Sequence, residues 1–153
     1  MDKEKLLDFY IQKMRQFKLR ITNIRIEIIK CLLKHEKWHT IDEIVEHLTE
    51  ANREKPNVSS VYNTLHSFVQ YGIVNAFLDT TNFKPCFNLK HDNHEHVYCF
   101  FKKDKSSLTM AFDKSVHLKI NEFFKENNLK IDDYYVVATV NGMKKDNEKK
   151  KCE

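Results

Sequence analysis

The sequence predicts an α+β fold in two parts: a helical first part that ends in a β-hairpin, and a small β-β-α-β unit. Apolar residues recur at helical spacing in four segments before residue 71, and a strand-turn-strand pattern follows them. After residue 95, short β-forming runs surround one amphipathic segment. We therefore expect one domain at residues 1–89, a second at 90–142, and a basic disordered tail at 143–153.

Three helices are predicted first, at about residues 3–16, at about 22–34, and from Thr40 onward. The third begins with Thr40-Ile-Asp-Glu43, a capping box whose first and last side chains satisfy backbone N–H groups at the helix start. Each helix has an apolar stripe that faces the expected core. The stripes are Leu6, Leu7, Tyr10 and Met14; Ile24, Ile28, Ile29 and Leu32; and Ile41, Ile44, Val45 and Leu48.

The fourth helix, between Asn57 and Gly72, is the most informative segment. We expect Ser59 to cap its start and Gly72 to end it in a left-handed conformation. Its outer face carries short uncharged hydrogen-bonding side chains, which suit a helix that reads base edges in the DNA major groove. A hairpin at residues 73–78 and 84–89 follows, so the first domain is a predicted winged helix-turn-helix. The outer face holds Ser60, Asn63, Ser67 and Gln70, and the inner stripe holds Val61, Leu65, Phe68 and Val69.

The second domain is predicted from three strand-like runs, at residues 96–101, 108–112 and 134–140, and a helix at 115–127. A β-β-α-β unit of this size buries too small a hydrophobic core to be very stable as an isolated domain. Its last strand is apolar on both faces, and an uncovered edge of that kind favours pairing with a second copy. The sequence therefore predicts a homodimer assembled through this strand and the helix.

The composition favours a cytoplasmic protein without a membrane partner. No apolar run approaches the ~20 residues that a membrane-spanning helix needs. The four cysteines show no disulfide-like spacing, which agrees with a reducing compartment. The net charge is +4, and five basic residues with no acidic one lie between Lys13 and Arg25. Such a patch can contact phosphate.

A histidine-rich segment, His91-Asp-Asn-His94-Glu-His96, lies between the two parts. On a strand His94 and His96 would point to the same face, because side chains alternate along a strand. Imidazole pairs of this kind bind first-row transition metals. The segment therefore indicates a divalent metal site.

These motifs together resemble the ferric uptake regulator family of metal- and peroxide-responsive repressors. The resemblance covers about residues 19–142, with the motifs in family order and at family spacing. It implies a winged helix joined to an α/β dimerisation domain, a palindromic double-stranded DNA operator, and a regulatory metal at the hinge between the domains. The matching pieces are Leu19-Arg-Ile-Thr-Asn-Ile-Arg25, His39-Thr-Ile-Asp-Glu-Ile44, Ser60-Val-Tyr-Asn-Thr-Leu65 with Gly72-Ile-Val74, Cys86-Phe-Asn-Leu89 and His94-Glu-His-Val-Tyr-Cys99.

The resemblance also implies the metal ligands: His39, the acidic position that Asn88 fills here, His94 and His96. Cys86 shares the strand face of Asn88 and can add a soft ligand, which tilts a site that could hold Zn²⁺, Fe²⁺ or Mn²⁺ toward Zn²⁺. We expect about one divalent ion per chain. His91 and His117 stay open as further ligands.

The structural zinc that two Cys-x-x-Cys pairs commonly hold in the family is expected to be absent. Cys99 is present, but Lys102 takes its partner position and residues 140–144 contain no cysteine. By the same resemblance, Tyr62 and Asn63 would contact bases, Ser59 and Ser60 would contact phosphate, and Arg20 would reach phosphate or the minor groove.

The leading interpretation is a dimeric metal-responsive repressor of metal-homeostasis or oxidative-stress genes, and not an enzyme. An iron-based peroxide sensor that oxidises His39 or His94 is one alternative. A metal-independent winged helix that has lost its sensor is another. The remaining alternative is a three-histidine hydrolytic zinc site, for which the nearest base, Glu95, would point away from His94 and His96.

Overall fold

The computed structural model describes residues 2–35, 37–90, 96–104, 106–131, 134 and 136–142. They form two compact units, which divide between Asn93 and His94, and the predicted α+β fold is confirmed. Within these ranges no helix is long and apolar enough to cross a membrane. The first unit contains α1 (Lys3–Gln16), α2 (Asn23–Lys34), α3 (Ile41–Asn52), α4 (Val58–Gln70), β1 (Val74–Asp79) and β2 (Lys84–Leu89); the second contains β3 (His96–Phe101), β4 (Ser107–Ala111), α5 (Lys114–Glu126) and β5 (Val136–Val140).

The core of the first unit is built from the apolar stripes of its four helices and one face of the hairpin. Ile28, Ile44 and Val61 are fully buried representatives of α2, α3 and α4. Each such side chain contributes about 1.5–3 kcal/mol through the apolar surface it removes from water. The Tyr10 hydroxyl of α1 donates a hydrogen bond of 3.1 Å to the Lys90 carbonyl, which ties the first helix to the end of the hairpin.

Capping side chains fix where the helices start. The Thr40 hydroxyl accepts a hydrogen bond from the Glu43 backbone N–H at 3.2 Å, as the capping-box sequence predicts. The cap of α4 is Asn57, whose side chain accepts from the Ser60 N–H at 3.1 Å, so the assignment of Ser59 as the cap was wrong. Asn57 still has extended backbone angles, whereas Ser59 already lies inside the helix. Gly72, with φ of 67°, follows the helix in the expected left-handed conformation.

The hairpin strands β1 and β2 pair antiparallel, and an isolated antiparallel bridge joins the segment before α3 to β2. The His39 N–H donates to the Phe87 carbonyl at 3.0 Å, and the Phe87 N–H donates back to the His39 carbonyl at 2.8 Å. The chain thus anchors the start of α3 directly on the wing.

In the second unit the sheet order is β4-β3-β5, with β3 antiparallel to β4 and parallel to β5. The last strand starts at Val136, later than the expected residue 134. Tyr134 instead stacks on His117 of α5, and its hydroxyl hydrogen-bonds the imidazole. No described residue of α5 is buried, and Phe123 is 59% exposed. The apolar stripe of α5 is thus largely uncovered within the described chain.

Candidate DNA-binding surface and metal centre

The outer face of α4 is exposed and uncharged at each position that the sequence assigned to DNA. Ser59, Ser60, Tyr62 and Asn63 are all exposed, and the Tyr62 ring is 55% accessible. Val61, between them in sequence, is fully buried because it lies on the opposite side of the helix. The polar side chains therefore project from a helix that the core holds in place.

The start of α4 is also suited to an anion. Its first turn contains no acidic residue, so the positive end of the helix dipole is not neutralised. The Asn57 cap satisfies the Ser60 N–H, and the exposed hydroxyls of Ser59 and Ser60 stand beside it. Backbone N–H groups and small hydroxyls at a helix start are common phosphate ligands.

The basic segment between α1 and α2 presents part of its charge to solvent. Arg15, Lys18 and Arg20 are exposed. Arg25 donates a hydrogen bond of 2.5 Å from its guanidinium to the Arg20 carbonyl, which holds the connecting loop. Lys13 lies 5.4 Å from the ring centroid of Phe9, so this charge is engaged within α1.

Strand geometry separates the expected metal ligands of the first unit into two sets. Cys86 and Asn88 are two residues apart on β2 and share one face. His39 pairs directly with Phe87, so its side chain lies on the other face. The structure therefore places Cys86 and Asn88 on one face of β2, and the joining of His39 with His94 and His96 around one ion stays a prediction.

The face that carries Cys86 and Asn88 also carries an apolar cluster. The Trp38 and Phe77 rings meet edge to face at 4.8 Å, and Phe77 is the register partner of the fully buried Cys86. The Cys86 thiol lies 3.9 Å from the Lys84 carbonyl oxygen, to which it donates. The Asn88 side chain accepts from the Leu89 N–H at 2.9 Å.

Asn75 is a polar residue of this face that the sequence analysis missed. It is the register partner of Asn88 and is fully buried, and neither its amide nitrogen nor its amide oxygen has a hydrogen-bond partner among the described residues. An unsatisfied buried amide is unusual and calls for a ligand, water or ion. The sequence does contain a sign of this position: side chains alternate along a strand, so Asn75 lies on the same face of β1 as Phe77.

The two histidines of the His-x-His motif are only partly covered. His94 lies outside the described residues, and β3 begins at His96, whose side chain also lies outside them. Among the residues that the structure describes, no three His, Cys, Asp or Glu side chains are arranged to hold a metal ion as they stand.

His39 instead joins two histidines to which the sequence analysis gave no role. Its ring centroid is 5.8 Å from that of His35, at the end of α2, and 5.5 Å from that of His47 in α3. Burial, with added effects of His47 and His35, lowers the pKa of His39 to about 4. The His39 ring is therefore neutral at physiological pH and keeps a nitrogen lone pair.

Comparison with known proteins gives a consistent result. Residues 16–139 match the model of the ferric uptake regulator family. The MG236 homolog of Mycoplasma pneumoniae is 34% identical over 139 residues, which are 90% of this chain and 87% of that protein. The peroxide-responsive repressor PerR of Staphylococcus aureus is 33% identical over 95 residues, 61% of this chain and 62% of the repressor.

Among solved structures, the fold is similar to that of a zinc uptake regulator complexed with zinc and DNA. The TM-score is 0.70 at 13% sequence identity, with 99% of each chain covered. At this identity the similarity concerns the fold alone. The family match spans most of the sequence, and the chain belongs to the ferric uptake regulator family, whose members are transcription regulators and generally metal-responsive DNA-binding repressors.

Proposed function

We propose that this chain is a dimeric, metal-responsive repressor that binds a palindromic operator in double-stranded DNA. The observation that carries the proposal is the outer face of α4, which is exposed, uncharged and rich in hydrogen-bonding groups while its inner face is locked into the core. A merely solvated helix face would be expected to carry Lys and Glu. Membership of a family of DNA-binding regulators supports the same proposal.

The proposed DNA contacts fall into two chemical classes: contacts to base edges, and contacts to phosphate or the minor groove. Tyr62 and Asn63, exposed on α4, are proposed to contact base edges, because an asparagine amide can form two hydrogen bonds with adenine. Ser59 and Ser60 at the helix start are proposed to contact phosphate. Arg20, exposed on the basic segment, is proposed to contact phosphate or the minor groove. The serines and the arginine position α4, and the tyrosine and asparagine specify the sequence.

For the regulatory metal we propose a ligand set drawn from His39, Cys86, Asn88, His94 and His96, with about one ion per chain. The donors of the first unit fit a metal, since the Cys86 thiol and the Asn88 amide share a face with the unsatisfied Asn75 amide. A thiolate among the donors favours Zn²⁺ over Fe²⁺ or Mn²⁺. A bound ion would coordinate ligands from both halves of the chain and so hold them together. We propose no structural Cys₄ zinc.

For assembly we propose a homodimer through α5 and β5. The exposed apolar residues of α5 include Val116, Leu118 and Phe123, and Leu108 and Met110 of β4 are exposed as well. Exposed apolar surface of this extent in a small unit favours an interface. The edge strand β5, with Val136, Val137 and Ala138 half-buried, suits pairing with a second copy.

The test of the metal-responsive function is the variant His94→Ala. An operator is first selected from random duplexes with wild-type protein and added Zn²⁺, and binding is then followed by fluorescence anisotropy with metal and with chelator. We expect His94→Ala to bind scrambled duplex normally but to lose the metal dependence of operator affinity. The control is Glu46→Ala, at an exposed position of α3 outside the proposed metal, DNA and dimer contacts. Full metal-dependent binding by His94→Ala would favour a metal-independent winged helix.

Iron-based peroxide sensing is a second candidate, favoured by the 33% identity over 95 residues to the PerR repressor of Staphylococcus aureus. Hydrogen peroxide, as the oxidant, would insert one oxygen atom into a ring C–H bond of a histidine beside bound Fe²⁺, and its other oxygen would leave as water when the O–O bond breaks. Peptide mass spectrometry of protein loaded with Fe²⁺ and treated with peroxide distinguishes the candidates. Oxygen added to the peptide that holds His94, and not in the Zn²⁺ form, would support peroxide sensing.

A further inference from the structure

The four residues that join β1 to β2, which we call the wing tip, are Thr80, Thr81, Asn82 and Phe83. All four are exposed, and Phe83 is 77% accessible, the highest value among the large apolar side chains that the structure describes. A single exposed apolar residue is ordinary on a protein surface. Phe83 differs from such residues in its backbone conformation and in the way the hairpin presents it.

The backbone of Phe83 is left-handed, with φ of 56°. Glycine and asparagine adopt this conformation readily, whereas a bulky side chain is strained in it. The exposed ring therefore adds strain to the unit without the compensating burial of apolar surface. Strained residues that persist at one place in a fold often have a role in binding.

Hydrogen bonds in and beside the wing tip hold Phe83 in this conformation. Its backbone N–H donates to the Asp79 carbonyl at 2.8 Å, and the Asn82 side chain accepts from the Lys84 N–H at 3.0 Å. The Asp79 carboxylate accepts from the N–H and from the hydroxyl of Thr81, at 3.0 Å and 2.7 Å. The loop is thus fixed in advance, and little conformational entropy is lost when the ring contacts a partner.

The charge of the hairpin is compatible with a nucleic acid as that partner. Asp79 is the only acidic residue between positions 74 and 90, and it is 2% exposed. Lys84 is exposed beside the wing tip, and its amine lies 3.5 Å from the Asp42 carboxylate in an exposed pair of small energetic weight. The hairpin itself therefore does not repel phosphate, and the main contact that its tip offers is an apolar ring.

The length of the hairpin suits a contact with DNA next to α4. Residues 71–73 alone separate the end of α4 from β1, and the two elements are in contact. The six residues of β1 pair with β2 along their whole length, so the hairpin extends roughly 20 Å at about 3.3 Å per residue. The major groove is roughly 12 Å wide. A hairpin of this length beside a helix in that groove can cross one sugar-phosphate backbone and reach the neighbouring minor groove.

We propose that Phe83 is a minor-groove wedge: with α4 in the major groove of the operator, its ring inserts between two base pairs of the adjacent minor groove. This inference rests on the proposed operator binding. Inserted apolar side chains partly unstack the base step that they enter and kink the duplex. Pyrimidine–purine steps deform most easily, so the wing tip favours a TA or CA step at one position of each half-site. Phe83 thus adds sequence preference without a hydrogen bond to a base.

The test is the variant Phe83→Asn, which removes the ring and keeps a residue type suited to a left-handed backbone. Operators are selected with wild-type protein and Zn²⁺, and 2-aminopurine then replaces each flanking adenine in turn. Wild-type protein should raise the 2-aminopurine fluorescence at one step of each half-site, because that base is unstacked, and Phe83→Asn should not. The operator affinity of Phe83→Asn should fall at least about 5-fold with an unchanged salt dependence, since no charge is lost.

The DNA provides a second, matched change. Replacing the flexible step by a stiff AA step should weaken wild-type binding and leave Phe83→Asn nearly unaffected, because both changes remove the same contact. The control variant is Leu78→Thr, which removes an exposed apolar side chain from β1 of the same hairpin. Leu78→Thr should keep both the fluorescence change and the step preference.

The Tm separates a binding role of Phe83 from a structural one. Phe83→Asn relieves strain and buries nothing less, so its Tm should equal or exceed that of the wild type, and a clearly lower Tm would overturn the proposal. Unchanged affinity and fluorescence in Phe83→Asn would overturn the wedge and leave the repressor function standing. Loss of the dimer in Phe83→Asn, seen by light scattering, would also overturn it and assign the ring to a contact between copies. A wild-type protein that selects no operator would overturn both proposals.

Discussion

At the scale of single residues, two kinds of side chain on the first unit have different proposed roles in DNA binding. Asn63 is exposed on α4 and offers a donor and an acceptor without charge, whereas Arg20 is exposed on the basic segment and offers a permanent charge. Hydrogen bonds to base edges depend on sequence, and charge interactions with phosphate do not. The two residues therefore predict different binding defects.

Asn63→Ala should weaken operator binding by roughly 1–3 kcal/mol and leave binding to scrambled duplex nearly unchanged, because it removes a base contact. Fluorescence anisotropy on both duplexes at one salt concentration measures the difference. Gln70→Ala, at the exposed far end of α4, is the control. Equal losses on both duplexes would show that Asn63 does not read sequence.

Arg20→Ala should weaken binding to operator and scrambled duplex alike and reduce the salt dependence, because each subunit of the bound dimer releases one fewer counterion from DNA. The slope of log affinity against log salt should fall by about 1.8, which is about 0.9 for each subunit. Arg20→Lys keeps the charge and should keep the slope. An unchanged slope for Arg20→Ala would show that Arg20 does not contact phosphate.

The exposed face of α4 could be predicted from the sequence because it follows from helical periodicity alone. The placement of His39 could not. Whether His39 faces Cys86 and Asn88 or the opposite side depends on its pairing with Phe87, which lies beyond two intervening helices. Local pattern does not encode such a pairing, and a shift of one residue reverses the face of a strand. The choice of Ser59 in place of Asn57 as the cap of α4 is a smaller error. Both residue types cap helices well, so the sequence alone does not distinguish them.

At the scale of elements, α3 connects the hairpin with the helices of the first unit, because it contacts α2, α4 and β2. Its start is fixed twice, by the Thr40 cap and by the pairing of His39 with Phe87. The strands and helices were otherwise predicted within a few residues. The exception with consequence is β5, which starts late because Tyr134 turns to the His117 ring.

Thr40→Ala should lower the free energy of unfolding by about 1 kcal/mol, because it leaves the Glu43 N–H without its capping acceptor. Urea denaturation of metal-free protein measures the change. Thr49→Ala is the matched control: it removes a hydroxyl inside the same helix that donates only to the Val45 carbonyl, and it should cost less. If both variants lowered the free energy of unfolding equally, the effect of Thr40→Ala would come from lost packing and not from the lost cap.

At the scale of the whole molecule, the described part of the second unit leaves several large apolar side chains exposed, among them Leu108, Met110, Leu118 and Phe123. The sequence predicted both the amphipathic helix and the need for a second copy. It could not show which apolar residues would stay uncovered within one chain, since that depends on how α5 lies on its own sheet.

Phe123→Asp should convert the protein from a dimer to a monomer, because it places a charge in the proposed apolar interface, where Phe123 is 59% exposed in the single chain. Light scattering at micromolar concentration, with metal present, measures the mass. Glu122→Ala, at the neighbouring exposed position, should remain a dimer. A monomeric wild-type protein would contradict the proposed assembly.

The double hydrogen bond between His39 and Phe87 also bears on how the first unit folds. It joins two chain segments separated by α3 and α4. Contacts of such sequence separation lower the rate at which a domain folds, because the intervening chain must be closed into a loop first. We therefore expect the His39 and Phe87 amides to be among the slower ones of the unit to exchange with solvent, since their hydrogen bonds break only when the hairpin separates from the start of α3. The start of α3 and β2 are expected to gain and lose their structure together.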